Sequence, residues 1–435
     1  MIRRPLRAAA LVSALTLVAA ACTIEIGTPR RSPSTVSTPD PSPSPVPTGK
    51  GSAAAAMAAL CDVPAPPERG EPKPPGEVPA DIAEVEAQVE RTRGLDFERP
   101  VAIEPVTDEQ IERRLLANFE DTVPKELNAR RSLAWQTIGV IPAGTQITAA
   151  LRSFLSGQVV GFYDPAKQAL VYIGQDELTT TSRYILAHEL THAVDDQHFD
   201  LTRLDPLAAG CDDEAFMAGL GAVEGSAQFT ATEVILRFQE PDEEFGEIGG
   251  GSTEGVPPFI VRTQLWPYED GMRFIDQLDR RGGEDEVDAA LARFPVSTEQ
   301  VIHPDRYPND TPQPVNVPDL ARRLPGTWKD LDVMVVGEAW LRIMLELRID
   351  AEIADRAAAG WDGGLYRAWI DGDRVAVVLK TVWDTADDAR AFAEALRGWI
   401  GGGPGFVADP RGRVVVAGFA SDRELLEALS NASAT

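Results

Sequence analysis

The stretch YILAHELTHAVDDQHF, Tyr184 to Phe199, holds three of the chain's four histidines. His188 and His192 flank Glu189 in the order H-E-x-x-H, and His198 follows six residues later. Leu186, Leu190 and Val194 recur at every fourth position, which predicts a helix with one apolar side. On that helix the first two histidines stand one turn apart and project from the same side, nearly opposite the apolar stripe. Two imidazoles so placed can hold one Zn²⁺ at about 2.0–2.1 Å each. Surface histidines are common on helices, but a chain of 435 residues with only four of them rarely gathers this pattern by chance. A metal site is the better reading, and Glu189 between the ligands has the acid/base role that the motif requires.

A catalytic zinc needs a third protein ligand and an open position for water. Two residues compete for the place. His198 completes H-E-x-x-H-x-x-D-x-x-H, but that arrangement needs a sharp chain reversal where Asp195 stands instead of glycine. The helix should therefore run on and turn His198 elsewhere. Glu224, in LGAVEGSAQF, lies 32 residues after His192 in a stretch of helical character, Asp213 to Phe238. Gly219, Gly221 and Gly225 weaken that helix by roughly 1 kcal/mol each relative to alanine, so their density needs a reason. Close approach to the histidine helix supplies one, since glutamate has a short reach. Glu224 is the stronger candidate.

Outward from this core, QVVGFYDPAKQALVYIG reads as a β-hairpin turning at Asp164-Pro165. Before it come helical patterns over Asp81–Arg93, Lys125–Ile138 and Gln146–Leu155, a strand in ERPVAIEPV, and a helix opened by a Thr107/Gln110 capping box. Beyond Trp361 the pattern is a hairpin, a helix capped by Thr385 and Asp388, a strand in GRVVVAGFA, and a helix capped by Ser421 and Glu424. The expected fold class is α+β, with a mostly helical catalytic domain carrying a small sheet and a C-terminal ββαβα module. Six of the eight tryptophans lie at or beyond Trp328. Core packing is their commoner use, and a stacking surface for ligands the rarer one.

HELTH followed by the Glu-bearing AVEGSA segment resembles the gluzincin, or thermolysin-like, group of zinc metallopeptidases, with His188, Glu189, His192 and Glu224 as the matching residues. The resemblance covers Gln158 to Phe238 and implies a zincin-like domain, Zn²⁺ as cofactor and a peptide or protein substrate. With STEQVIHPDRY included, the chain also resembles uncharacterised bacterial exported lipoproteins described as metallopeptidases. Glu189 would take a proton from the zinc-activated water and deliver it to the leaving amine. An oxyanion needs a further donor, and His303 and Tyr307 in STEQVIHPDRYPND are the candidates. Asp195, Asp196, Asp200 and Asp212 are possible partners for the ligand imidazoles. The rival from another class is a catalytically inactive, membrane-tethered lipoprotein that binds envelope components, supported by the tryptophan-rich tail.

The N-terminus bears on location. MIRRPLR is basic, and Ala8 to Ala21 is a short apolar run, so residues 1–21 read as a secretory signal. LTLVAAAC ends on Cys22 in the manner of a lipobox, although Ala19 stands where leucine is usual. The same residues satisfy an ordinary A-x-A cleavage site, and the lipid anchor on Cys22 is preferred because a tether follows. Residues 22–79 are expected to form a disordered Pro/Ser/Thr-rich stalk, of which Thr28–Gly49 alone could extend roughly 60–70 Å. Domains of 80–327 and 328–435 then follow. Cys61 and Cys211 are an even pair in an oxidising compartment, either bridged or buried as free thiols. A net charge of −27 argues against a nucleic-acid partner. Nothing in the sequence indicates an oligomeric state.

Overall fold

The computed structural model describes residues 52–61, 78–122, 125–155, 161–174, 177–209, 212–238 and 253–433. The expected stalk is interrupted within this range. Ala53–Leu60 (AAAAMAAL) forms helix α1, with the Ser52 side chain accepting the Ala55 N–H at 3.2 Å. Alanine is the strongest helix former, and a capped alanine run needs little else to turn. Its Ala53 and Ala56 are buried with Val317, Leu320 and Trp369, so this piece of the tail belongs to the folded body. Cys61, directly after it, is disulfide-bonded. The signal segment, Cys22 and Cys211 lie outside the described residues.

The first half then runs α2 (Ala80–Arg93), β1 (Ala102–Val106), α3 (Asp108–Thr122), α4 (Lys125–Ile138), α5 (Ile147–Leu155), β2 (Gly161–Asp164) and β3 (Ala169–Ile173). Helix α6 (Thr180–Phe199) carries the H-E-x-x-H motif and continues past Asp195, as its sequence predicts. A short turn at Leu201–Leu204 and α7 (Asp205–Ala209) lead to α8 (Asp213–Phe238), which carries Glu224. Helices α9 (Pro258–Gly282), α10 (Glu284–Ala292) and α11 (Thr298–Ile302) complete this half.

Strand β1 pairs in parallel with β3, and β2 pairs antiparallel with β3, giving the order β1-β3-β2 with β2 at an edge. Against this sheet lie α2 and the apolar side of α6, whose Leu186, Leu190 and Val194 are buried with Ile82, Val85, Leu170 and Tyr184. The apolar stripe thus anchors α6 and leaves the histidine side for the interior face toward α8.

The second half contains β4 (Lys329–Val335), α12 (Glu338–Glu346), α13 (Ala351–Ala358), β5 (Trp361–Asp371), β6 (Arg374–Trp383), α14 (Ala386–Ile400), β7 (Gly405–Val407), β8 (Val414–Ala420) and α15 (Arg423–Ser433). The expected ββαβα pattern is present and is extended by β4 and β7 into a five-stranded antiparallel sheet, order β4-β5-β6-β8-β7. Thr385 and Asp388 form the predicted capping box of α14. At α15 the cap differs: Asp422 accepts the Leu425 N–H at 2.8 Å, while Ser421 Oγ is drawn to the Val375 N–H of the sheet. The fold is α+β.

The tail tryptophans are core residues: Trp361, Trp369 and Trp383 are fully buried and Trp399 nearly so. One hydrophobic core also crosses from the first half into the second. Trp135 of α4 packs edge-on against Phe259 of α9 at 5.2 Å, and Phe259 against Trp340 of α12 at 5.3 Å, with Tyr366 of β5 beyond. A polar chain follows the same path. Buried Arg131 of α4 donates twice to Asp213 at the start of α8 and once to Asp332 of β4, which also accepts from Tyr366. The metal-motif helices and the C-terminal sheet are one packed body.

Candidate metal centre

His188 and His192 of α6 and Glu224 of α8 place three donor atoms at the corners of a small triangle. The two Nε2 atoms are 3.1 Å apart, and Glu224 Oε2 lies 3.2 Å from His188 and 3.3 Å from His192. Ligands about 2.0–2.1 Å from a tetrahedral ion are about 3.3–3.4 Å from one another, so the triangle has the size of one face of such a site. The donor set fits as well: two imidazole nitrogens and a carboxylate oxygen aim at a common point, and a lone proton could satisfy only part of them. Among the described residues, this is the cluster of three metal-ligating side chains that can meet at one ion. The three side chains are 10, 12 and 14% exposed, which leaves a way in for a fourth ligand.

The charges of the site depend on one another. Burial works against a charged His192, but the Glu224 carboxylate beside it, joined by Glu189 and Asp195, carries its pKa up to about 9. For Glu224, burial is likewise overcome by both imidazoles, which hold the carboxyl well below its ordinary range. Glu189 lies alongside, with its Oε2 accepting the Tyr163 N–H of β2 at 2.7 Å. Burial pushes the Glu189 pKa up, opposed by the two imidazoles and by that N–H. A carboxylate raised in this way is a stronger base than one in water.

The glycines of α8 serve a purpose other than the expected one. A Cβ on Gly225 would overlap the backbone of Gly271 in α9, and one on Gly271 would overlap the Gly221 carbonyl. The close approach is therefore between α8 and α9, while Gly219 makes room for Leu204 and Phe294. On the α6 side, Ala187 and Ala193 are buried in one cluster with Ala231, Val234 and Ile235 of α8, and no glycine is among them.

That crossing brings in Tyr268, one turn before Gly271 and a residue the sequence reading did not single out. Its ring stacks on His188 with centroids 6.0 Å apart. Its hydroxyl hydrogen-bonds Glu224, and that carboxylate, followed by burial and by Glu189, holds the phenol well above its ordinary pKa. Tyr268 as a whole remains 37% exposed and so stands at the rim of the site. A tyrosine one turn from a helical glycine, facing a glycine-rich partner helix, was the available signal.

His303 and Tyr307 are placed elsewhere. His303 Nε2 pairs with Glu338 of α12 at 2.9 Å, and that hydrogen bond raises its pKa. The Tyr307 hydroxyl donates to the Ala289 and Arg293 carbonyls at 3.1 and 2.7 Å, so it fastens α10 rather than meeting the triangle. His198 bonds the Asp96 carbonyl at 2.8 Å on the surface. Of the four aspartates, Asp195 accepts from Arg93 and Ser226, Asp196 from the Tyr163 hydroxyl, Asp200 from Thr202 and Asp212 from the Ala215 N–H. The ring Nδ1 of His192 is buried with no hydrogen-bond partner.

Residues 323–422 match the family described as domain of unknown function DUF8575, which covers the C-terminal sheet and not the metal triangle. No curated protein matches the chain. Among solved structures, one from Chloroflexus aurantiacus, titled "a putative hydrolase with a novel fold", matches at 17% identity with a TM-score of 0.33, over 58% of this chain and 95% of that one.

Proposed function

We propose that the chain is an exported zinc-dependent peptidase of the gluzincin type. The observation that carries this reading is the 3.1–3.3 Å triangle of His188, His192 and Glu224, with the raised carboxylate of Glu189 beside it. The donor set suits Zn²⁺, which when bound would supply Lewis acidity to a water and to the scissile carbonyl. Glu189, held in place by the Tyr163 N–H, takes a proton at its carboxylate and returns it to the leaving amine. Tyr268 replaces His303 and Tyr307 as the donor nearest the reacting centre: its hydroxyl can turn from Glu224 to the developing oxyanion. β2 is an edge strand whose Tyr163 N–H points at Glu189, so an extended peptide added along that edge would pass the base.

Export is supported by the disulfide at Cys61, a bond that persists in oxidising compartments. Lipidation of Cys22 remains the preferred form of attachment. No helix of the described residues is long and apolar enough to cross a membrane. The rival reading, an inactive binding module, drew on the tail tryptophans, and their burial removes that support.

The test is metal analysis with turnover. The purified protein should carry about one zinc and cleave a generic substrate such as casein until a chelator is added. Glu189→Gln should retain the zinc and lose hydrolysis. Cleavage by that variant at the parental rate would remove Glu189 as the base.

A further inference from the structure

Helices α6 and α8 share a buried cluster in which Ala187, Ala193 and Ala231 lie among larger side chains such as Tyr184, Val234 and Ile235. Outside the donor triangle, a buried hydrogen bond close to the ligands also joins the two helices. Ser226 Oγ donates to Asp195 Oδ2 at 2.7 Å, and both residues are fully buried. Asp195 lies three residues after the ligand His192, and Ser226 two after the ligand Glu224. The other oxygen of Asp195 accepts from Arg93 Nε of α2 at 2.8 Å. Arg93 is itself 4% exposed, ion-paired with Asp288 of α10 at 2.7 Å, and lies over the Phe199 ring of α6.

A buried carboxylate is costly unless paired, and this one is paired on both sides. Neither partner is a metal ligand, and neither oxygen is left over for an imidazole. We infer that Arg93, Asp195 and Ser226 form a register lock, a set of positioning residues that fixes α6 against α8 and thereby sets the separation of His192 and Glu224. Arg93 orients Asp195, and Asp195 holds Ser226. If α8 slid by even a fraction of a turn, Glu224 Oε2 would leave the triangle, since its side chain is already in contact at 3.2–3.3 Å. The consequence for zinc affinity rests on the proposed metal site, whereas the lock itself does not.

The experiment compares the parent, Ser226→Ala and Ser226→Thr, each as the full chain. Metal-free crystal structures should show the His192 Nε2 to Glu224 Oε2 distance lengthened in Ser226→Ala and kept in Ser226→Thr, which retains the hydroxyl. Zinc dissociation constants, read by competition with a chromophoric chelator, should rise 10–100-fold in Ser226→Ala and be restored in Ser226→Thr. The visible spectrum of the Co²⁺-substituted alanine variant should also change, a readout that general loss of stability would not move. An unchanged donor separation in Ser226→Ala overturns the lock. A lengthened separation in Ser226→Ala, together with a parent that fails to bind zinc, would uphold the lock and sink the metal reading instead.

Discussion

Gly225 and Gly271 cross backbone to backbone, and no side chain fits between them. Gly225→Ala should therefore force α8 and α9 apart. Overpacking of this kind costs about 1–3 kcal/mol. Urea denaturation should show that loss, and the variant should lose activity beyond what its stability explains, because Tyr268 moves with α9.

Tyr268→Phe removes the hydroxyl that meets Glu224 and leaves the stacked ring. We expect a kcat about 10²–10³-fold lower, the range for deletion of one oxyanion donor, with zinc content and KM little changed. Tyr307→Phe should behave oppositely: its hydroxyl binds two carbonyls near α10, so the melting temperature should fall while kcat holds. Steady-state kinetics paired with thermal melts separate the two.

Stability should decline toward alkaline pH. Glu214 of α8 is buried beneath Thr298, and burial, reinforced by Asp212 and Glu338 against the Thr298 donors, raises its pKa from 4.5 to about 8. Glu299 is carried to about 9 by burial despite Arg306. With the folded value above the unfolded one, the folded chain keeps a proton that the unfolded chain has released. The contribution is thus complete below pH 4.5 and is lost as the pH rises through about 8. The slope is about 1.4 kcal/mol per pH unit for each such proton. Glu214→Gln should flatten the curve. A stability–pH profile as steep as the parent's would contradict the assignment.

Arg131→Met leaves Asp332 fully buried without its cation. Breaking such a pair costs about 3–5 kcal/mol. Because the same guanidinium joins α4, α8 and β4, both halves should lose stability together. Tryptophan fluorescence and far-ultraviolet circular dichroism should then trace one coincident transition in parent and variant.

Where the chain is periodic, the sequence was a good guide. The spacing of His188, His192, Leu186, Leu190 and Val194 defined α6 and its two sides, and Asp195 in place of glycine correctly predicted that the helix runs on. Glu224 was found from the oddity of glycines in a helix. Their partner was misread, because glycines announce a close neighbour without naming it; only the crossing with Gly271 shows that it is α9. Tyr268 stayed hidden for the same reason. It lies 44 residues from Glu224, in a helix with Pro267 inside it, and its one local sign, Gly271 a turn later, does not name the partner helix. His303 and Tyr307 looked attractive as a polar pair beside a proline, yet their hydrogen bonds are spent on α12 and on the end of α10. Strands β4 and β7 were missed because one precedes the recognisable hairpin and the other has only three residues.

The aromatic column from Trp135 through Phe259 and Trp340 to Tyr366 has an implication for dissecting the chain. A segment whose interior is completed by residues about 200 positions away cannot be cut out cleanly, because either half expressed alone would carry an open apolar seam into solvent. Fragments divided along that column should be prone to aggregate, each lacking the rings that close it.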